Sequence, residues 1–126
     1  MIIDKMAKIL VAEDDKFLAN AYRVKFNKAG YEIKIVSDGQ QAIDSLETFT
    51  PDVILLDLMM PVKDGFAVLE EIKKSDKWKN IPVIVASNLG QKEDIDKSIA
   101  LGARDYIIKS QMPINDILDK INSVIK

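Results

Sequence analysis

Two kinds of apolar pattern alternate along the chain. Short, largely apolar runs, Ile9 to Ala12, Ile33 to Val36, Val53 to Leu56, Val83 to Ala86 and Tyr106 to Ile108, have the length and branched composition of strands buried on both faces. Between them lie segments whose apolar residues recur at three- and four-residue steps, which predicts helices over Phe17 to Ala29, Gln40 to Thr48, Phe66 to Ser75, Lys92 to Leu101 and from Pro113 onward. In the last of these Ile114, Ile117, Leu118, Ile121 and Ile125 form one stripe, while Asp116, Asp119, Lys120 and Lys126 occupy the other face. Gly30 and Gly102 follow helical segments, where a left-handed cap favours glycine. Pro113 fits a first helical position, since its missing N–H would have no partner there. Five strands alternating with five helices predict an α/β domain, a doubly wound parallel sheet with right-handed crossovers. Short connections leave no room for a linker, so residues 1–126 form a single domain with a core over about 7–125.

Composition narrows the function classes. The chain is 126 residues long, 48% hydrophobic and 30% charged, a globular balance too apolar for disorder. A net charge of -2 supplies no basic field for a nucleic acid backbone, so direct nucleic acid binding is not expected. Cysteine and histidine are both absent. Disulfide frameworks, thiolate sites and the commonest zinc ligands are thereby excluded, and any metal must be held by oxygen, which points to magnesium or calcium. No run of about 18 apolar residues occurs, and the amino terminus lacks a secretory pattern. The expectation is a cytoplasmic protein without membrane insertion.

In a doubly wound sheet ligands bind beyond the carboxyl ends of the strands, where strand order reverses. The polar residues at those ends are Glu13 and Asp14 after the first strand, Asp57 after the third, Ser87 after the fourth and Lys109 after the fifth. Three carboxylates in one place repel one another unless a cation offsets them. A magnesium ion takes one or two carboxylates, keeps several waters and leaves a position for a phosphate oxygen. Lys109 and Ser87 are suitable partners for phosphoryl oxygens, and an aspartate can be the nucleophile that becomes an acyl phosphate.

Four stretches, KILVAEDD, VILLDLMMPVKDG, PVIVAS and GARDYIIK, stand in order at spacings that resemble the response-regulator receiver domain, the CheY-like family of two-component signalling. The resemblance runs from about Ala7 to Ile125. It implies a flavodoxin-like (βα)5 three-layer sandwich with strand order 2-1-3-4-5. It implies that Asp57 is the phosphoacceptor, taking a phosphoryl group from a sensor histidine kinase, a phosphotransfer protein or a small donor such as acetyl phosphate. Magnesium, or manganese in its place, would be held by Asp14, Asp57 and the backbone carbonyl of Met59, and through water by Glu13; Asp15 lies outside the pair. Ser87 and Lys109 would bond to phosphoryl oxygens, and Tyr106 would be the aromatic that turns inward with Ser87. On this resemblance the protein is not an enzyme toward external substrates and catalyses only its own phosphorylation and dephosphorylation. Output would pass through the fourth helix, fifth strand and fifth helix to a protein partner, with Lys92, Lys97, Ser98, Tyr106 and Lys120 on that surface. The same surface can form homodimers.

Each residue also has a plainer reading. The acidic run could cap a helix, Ser87 could bond within its own turn, Lys109 could be a snorkelling surface lysine, and Tyr106 could be core. Asp64 and Gly65 read as a structural helix start after the Pro61 turn. A haloacid-dehalogenase-like phosphatase shares the aspartate, hydroxyl and lysine but needs a second aspartate two positions on, where Met59 stands. A pseudo-receiver that binds partners without phosphorylation would usually lose residues kept here.

Several positions depart from the family pattern. Ser110 stands where proline usually follows the lysine with a cis bond before it. A cis bond without proline costs about 2.5 to 4 kcal/mol, so the Lys109–Ser110 peptide is expected to be trans with an altered lysine, or cis and strained. Asn88 replaces a small residue and could narrow access to the phosphoryl group or supply an amide contact. Met59 and Leu89 place no polar group beside Asp57 to orient water, which predicts slow self-dephosphorylation. Met112 stands where a polar cap would normally start the last helix, so that end is expected to fray.

Overall fold

A computed structural model describes residues 6–125. Five strands, β1 (Lys8–Ala12), β2 (Glu32–Val36), β3 (Val53–Leu56), β4 (Val83–Ser87) and β5 (Asp105–Ile108), form one parallel sheet in the order β2-β1-β3-β4-β5. The helices are α1 (Lys16–Lys28), α2 (Gly39–Ser45), α3 (Gly65–Lys74), α4 (Lys92–Ala100) and α5 (Ile114–Ile125). This is the doubly wound α/β fold that the apolar pattern predicts, with the strand order that the family resemblance implies.

The runs of β1, β3 and β4 are central strands covered on both faces, whereas β2 and β5 are the sheet edges and only partly buried, which corrects the expectation for those two runs. Alternate residues divide between two cores. Leu10, Ala12, Ile54, Leu56, Val83 and Val85 pack against Ala42 and Ile43 of α2 and Val68, Leu69 and Ile72 of α3. Ile9, Val11, Val53, Leu55, Ile84 and Ala86 pack against Tyr22 and Phe26 of α1 and Ile117 and Ile121 of α5. Each fully buried side chain of this size contributes about 1.5–3 kcal/mol. A one-residue slip of β3 would exchange its two faces, so the register that pairs Leu56 with Ala12 and Val85 is firmly set. That register brings the ends of β1, β3 and β4 to one rim.

Local chemistry explains most boundaries. Asp15, Asp38 and Asp64 each accept amide hydrogens in the first turn of α1, α2 and α3. Gly30 and Gly102 take φ of 95° and 110°, as expected of residues beyond a helix end. Helix α2 ends at Ser45, earlier than Thr48, because the amides of Leu46, Glu47 and Thr48 bond three residues back and tighten into turns. Pro113 lies one residue ahead of α5 instead of at its first position; its carbonyl accepts from the Ile117 amide. Proline is therefore the cap residue, Met112 precedes it, and the expected polar-cap position is displaced by one.

Helix α4 is held differently from the others. Ser98 is its one buried residue, and its hydroxyl donates to the Asp94 carbonyl at 2.9 Å. The expectation that Ser98 lies on a partner surface is thereby corrected, since the apolar stripe of α4 is too sparse to bury anything larger. Lys92 pairs with Asp96, Lys97 lies 4.3 Å over the Phe66 ring, and Lys120 pairs with Asp105.

Candidate functional site

The end of β3 is where the apolar core meets polar side chains. Asp57 follows Leu56, and its amide still donates to the Ala12 carbonyl at 3.1 Å, so the residue is fixed by the sheet before the chain turns away. Its side chain is 5% exposed. One carboxylate oxygen, Oδ1, accepts from the Met59 amide at 3.2 Å, and the other, Oδ2, accepts from the Lys109 ammonium at 3.1 Å. The loop that follows returns tightly to form α3. A Cβ on Gly65 would lie 2.3 Å from the Asp57 carbonyl oxygen, so only glycine lets the helix start this close to the strand end. Gly65 is thus more than part of a helix start, which the sequence reading did not bring out.

Glu13 and Asp14 leave β1 beside it. Glu13 is 3% exposed; its Oε1 accepts from Lys109 at 2.8 Å and its Oε2 from the Asp15 amide at 3.1 Å. Asp14 is exposed, and Asp15 turns away to cap α1 through the amides of Phe17 and Leu18. One carboxylate oxygen from each of Glu13, Asp14 and Asp57 lies within 4.8 Å of the others. Together with Met59, Asn88 and Lys109 they line an open cleft of about 400 Å³. An all-oxygen donor set of this kind fits a hard divalent cation such as magnesium.

Lys109 reaches this cleft across a trans peptide to Ser110, since the described residues contain no cis bond. Residues Lys109–Gln111 form a single 3-10 turn that carries the ammonium between Glu13 and Asp57. Burial works against the charge of Lys109, but the bond from Glu13 and the field of Asp57 raise its pKa above the ordinary lysine value. Burial raises the Glu13 carboxyl above its ordinary value, a push that Lys109 opposes and Asp57 reinforces. Tyr22, buried on α1, has no partner for its hydroxyl among the described residues; burial and the charges of Glu13 and Asp57 push its phenol far upward.

The two residues expected to respond to a phosphoryl group stand behind the cleft. Ser87 is fully buried at the end of β4, and its Oγ accepts from the Leu89 amide at 3.2 Å, the turn bond of its plainer reading. Tyr106 on β5 is half-buried, and its hydroxyl donates to the Leu89 carbonyl. Both therefore grip the same residue of the β4–α4 loop.

Comparison with known proteins places this geometry in a family. The family model described as response regulator receiver domain matches residues 9–122. Chemotaxis protein CheY of Thermotoga maritima is 30% identical over 120 residues, covering 94% of this chain and 98% of that protein. The probable transcriptional regulator ycf27 of Guillardia theta is 30% identical over 98% of this chain but only 47% of its own length, and the chain spans about half of several such relatives. Among solved structures, the receiver domain of the Francisella response regulator 1452 superposes with a TM-score of 0.87 at 33% identity, covering 94% of this chain and 96% of that one. The receiver domain of a Pseudomonas aeruginosa sensor histidine kinase, solved with a magnesium ion coordinated in its active site cleft, superposes with a TM-score of 0.86 at 26% identity, covering 96% and 98%. The chain belongs to the response-regulator receiver family and so to the CheY-like proteins of two-component phosphorelay signalling. Among the described residues no helix is long and apolar enough to cross a membrane.

Proposed function

We propose that the chain accepts a phosphoryl group on Asp57 from a phosphohistidine of a sensor kinase or phosphotransfer protein, or from a small phosphodonor, in a magnesium-dependent reaction. The observation that carries this reading is the gathering of Glu13, Asp14 and Asp57 within 4.8 Å at the sheet rim, with Lys109 bridging two of them. Asp14, Asp57 and the Met59 carbonyl would hold magnesium directly and Glu13 through water. When bound, the ion neutralises charge on the transferring phosphoryl oxygens. A lone pair of the Asp57 carboxylate attacks phosphorus, the bond to the donor nitrogen or oxygen breaks, and its electron pair leaves with the donor. Lys109 then trades its bond to Asp57 for one to a phosphoryl oxygen. Ser87 donates its hydroxyl proton to another, and the turn of the side chain that aims it there draws Oγ away from the Leu89 amide, freeing the β4–α4 loop, with Tyr106, to move.

The outcome of that movement is a changed surface over α4, β5 and α5, which suits contact with a downstream protein or a second copy. Chemistry on external substrates has no support, because Met59 occupies the position of a general acid. Intact mass after incubation with magnesium and acetyl phosphate tests the reading. A single phosphoryl gain in wild type, absent from Asp57→Asn and without magnesium, is the expected result. Turnover of external phosphate esters would favour the phosphatase instead, and partner binding indifferent to Asp57 the pseudo-receiver.

A further inference from the structure

The loops that bring Ser87 and Lys109 to the site are joined by a bond between the next residue of each. The side-chain oxygen of Asn88 accepts the main-chain N–H of Ser110 at 2.9 Å. The bond needs an acceptor side chain at 88 and any residue but proline at 110: a proline there would have no N–H to donate, and an alanine at 88 would have no acceptor. The bond also settles which way the amide faces, because only its oxygen can receive an N–H, and the NH2 group must turn away from Ser110. Both residues are exposed, so the bond lies at the rim of the site and not on its floor. Asn88 lines the same cleft as Asp57, Met59 and Lys109.

An exposed asparagine samples several rotamers and obstructs little. One held by the loop that follows the neighbouring strand stays where it is placed. Both gain and loss of a phosphoryl group on Asp57 require an attacking group and a leaving group roughly in line, and so an open approach. We propose that Asn88 is a positioning residue that narrows the mouth of the Asp57 cleft, held there by the Ser110 amide. It slows the approach of water and of small phosphodonors to Asp57. This rests on the phosphoacceptor reading above.

The test uses the full chain with magnesium and acetyl phosphate, and follows both the rate of phosphorylation and the decay of the phosphoprotein after the donor is removed. Asn88→Ala is expected to raise both rates by about three-fold or more, a change of roughly 0.7 kcal/mol or more in barrier. Ser110→Pro should do the same, Ser110→Ala, which keeps the N–H, should behave as wild type, and the double variant should be no faster than either single one. Amide hydrogen exchange at Ser110, faster in Asn88→Ala than in wild type, reads the bond without any phosphorylation. Unchanged rates in Asn88→Ala, multiplicative effects in the double variant, or an unprotected Ser110 amide in wild type would overturn the proposal. A protected Ser110 amide in a wild type that never gains a phosphoryl group would overturn the phosphoacceptor reading itself, and the gating role with it.

Discussion

At the scale of single residues the site is a contest between burial and charge. Glu13 shows it most directly. Its carboxyl is raised above the unfolded value of 4.5, so the folded chain binds a proton there more tightly than the unfolded one. This group's contribution to stability is therefore greatest at low pH and declines as pH rises from 4.5 through the raised folded value. We expect metal-free wild type, measured by urea unfolding between pH 4.5 and 7, to lose stability relative to Glu13→Gln as pH increases; a parallel pair of profiles would contradict this. Gly65 has little freedom of side chain. We expect Gly65→Ala to lower stability by about 1–3 kcal/mol in the same assay, because its Cβ would meet the backbone of Asp57, which cannot move without disturbing the sheet. The strand-end residues were legible in the sequence because each stands at the end of an apolar run, and a polar group there has few structural reasons to exist. The Asn88–Ser110 bond was not legible, since it joins a side chain to a main-chain amide 22 positions away and leaves no trace in periodicity. The two departures were visible singly, but their partnership was not.

At the scale of elements, the helices and strands followed their patterns and the loops did not. The alternation of faces in β1, β3 and β4 and the caps at Asp15 and Asp64 all follow from local rules. The loop between β3 and α3 obeys a rule that runs against its sequence. Val62, β-branched and exposed, takes φ of 70°, a left-handed conformation that costs such a residue about 1–2 kcal/mol. Loop closure onto Gly65 dictates that conformation, whereas the side chain argues against it, so no sequence rule could have found it. Val62→Asn should therefore raise stability by about 1 kcal/mol, seen as an increase in thermal midpoint; no change would mean that the loop relaxes instead. Helix α4 is the other exception. With Ser98 as its one buried residue, it should be the helix whose amides exchange fastest with solvent, ahead of α3 with its four buried residues. Equal protection of α3 and α4 would remove the structural reason to regard α4 as the element that moves.

At the scale of the whole molecule, five parallel strands and their crossovers serve to gather side chains from positions 13 to 109 at one rim. Distance along the chain hid this convergence only partly, because the topology fixes which strand ends are neighbours. Magnesium binding to that rim should stabilise the entire fold by mass action, by about 2.7 kcal/mol at a hundredfold excess over the dissociation constant. We expect a rise in thermal midpoint with added magnesium, reversed by EDTA and strongly reduced in Asp14→Asn; a midpoint indifferent to magnesium would count against the site. The ammonium of Lys109 sits between Glu13 and Asp57. The rim therefore carries its own counter-ion, tethered at high local concentration, with which a bound cation would share the carboxylates. In the proposed reaction that tethered charge would move to a phosphoryl oxygen on transfer and, once water has removed the phosphoryl group, return to the carboxylates and reset the switch.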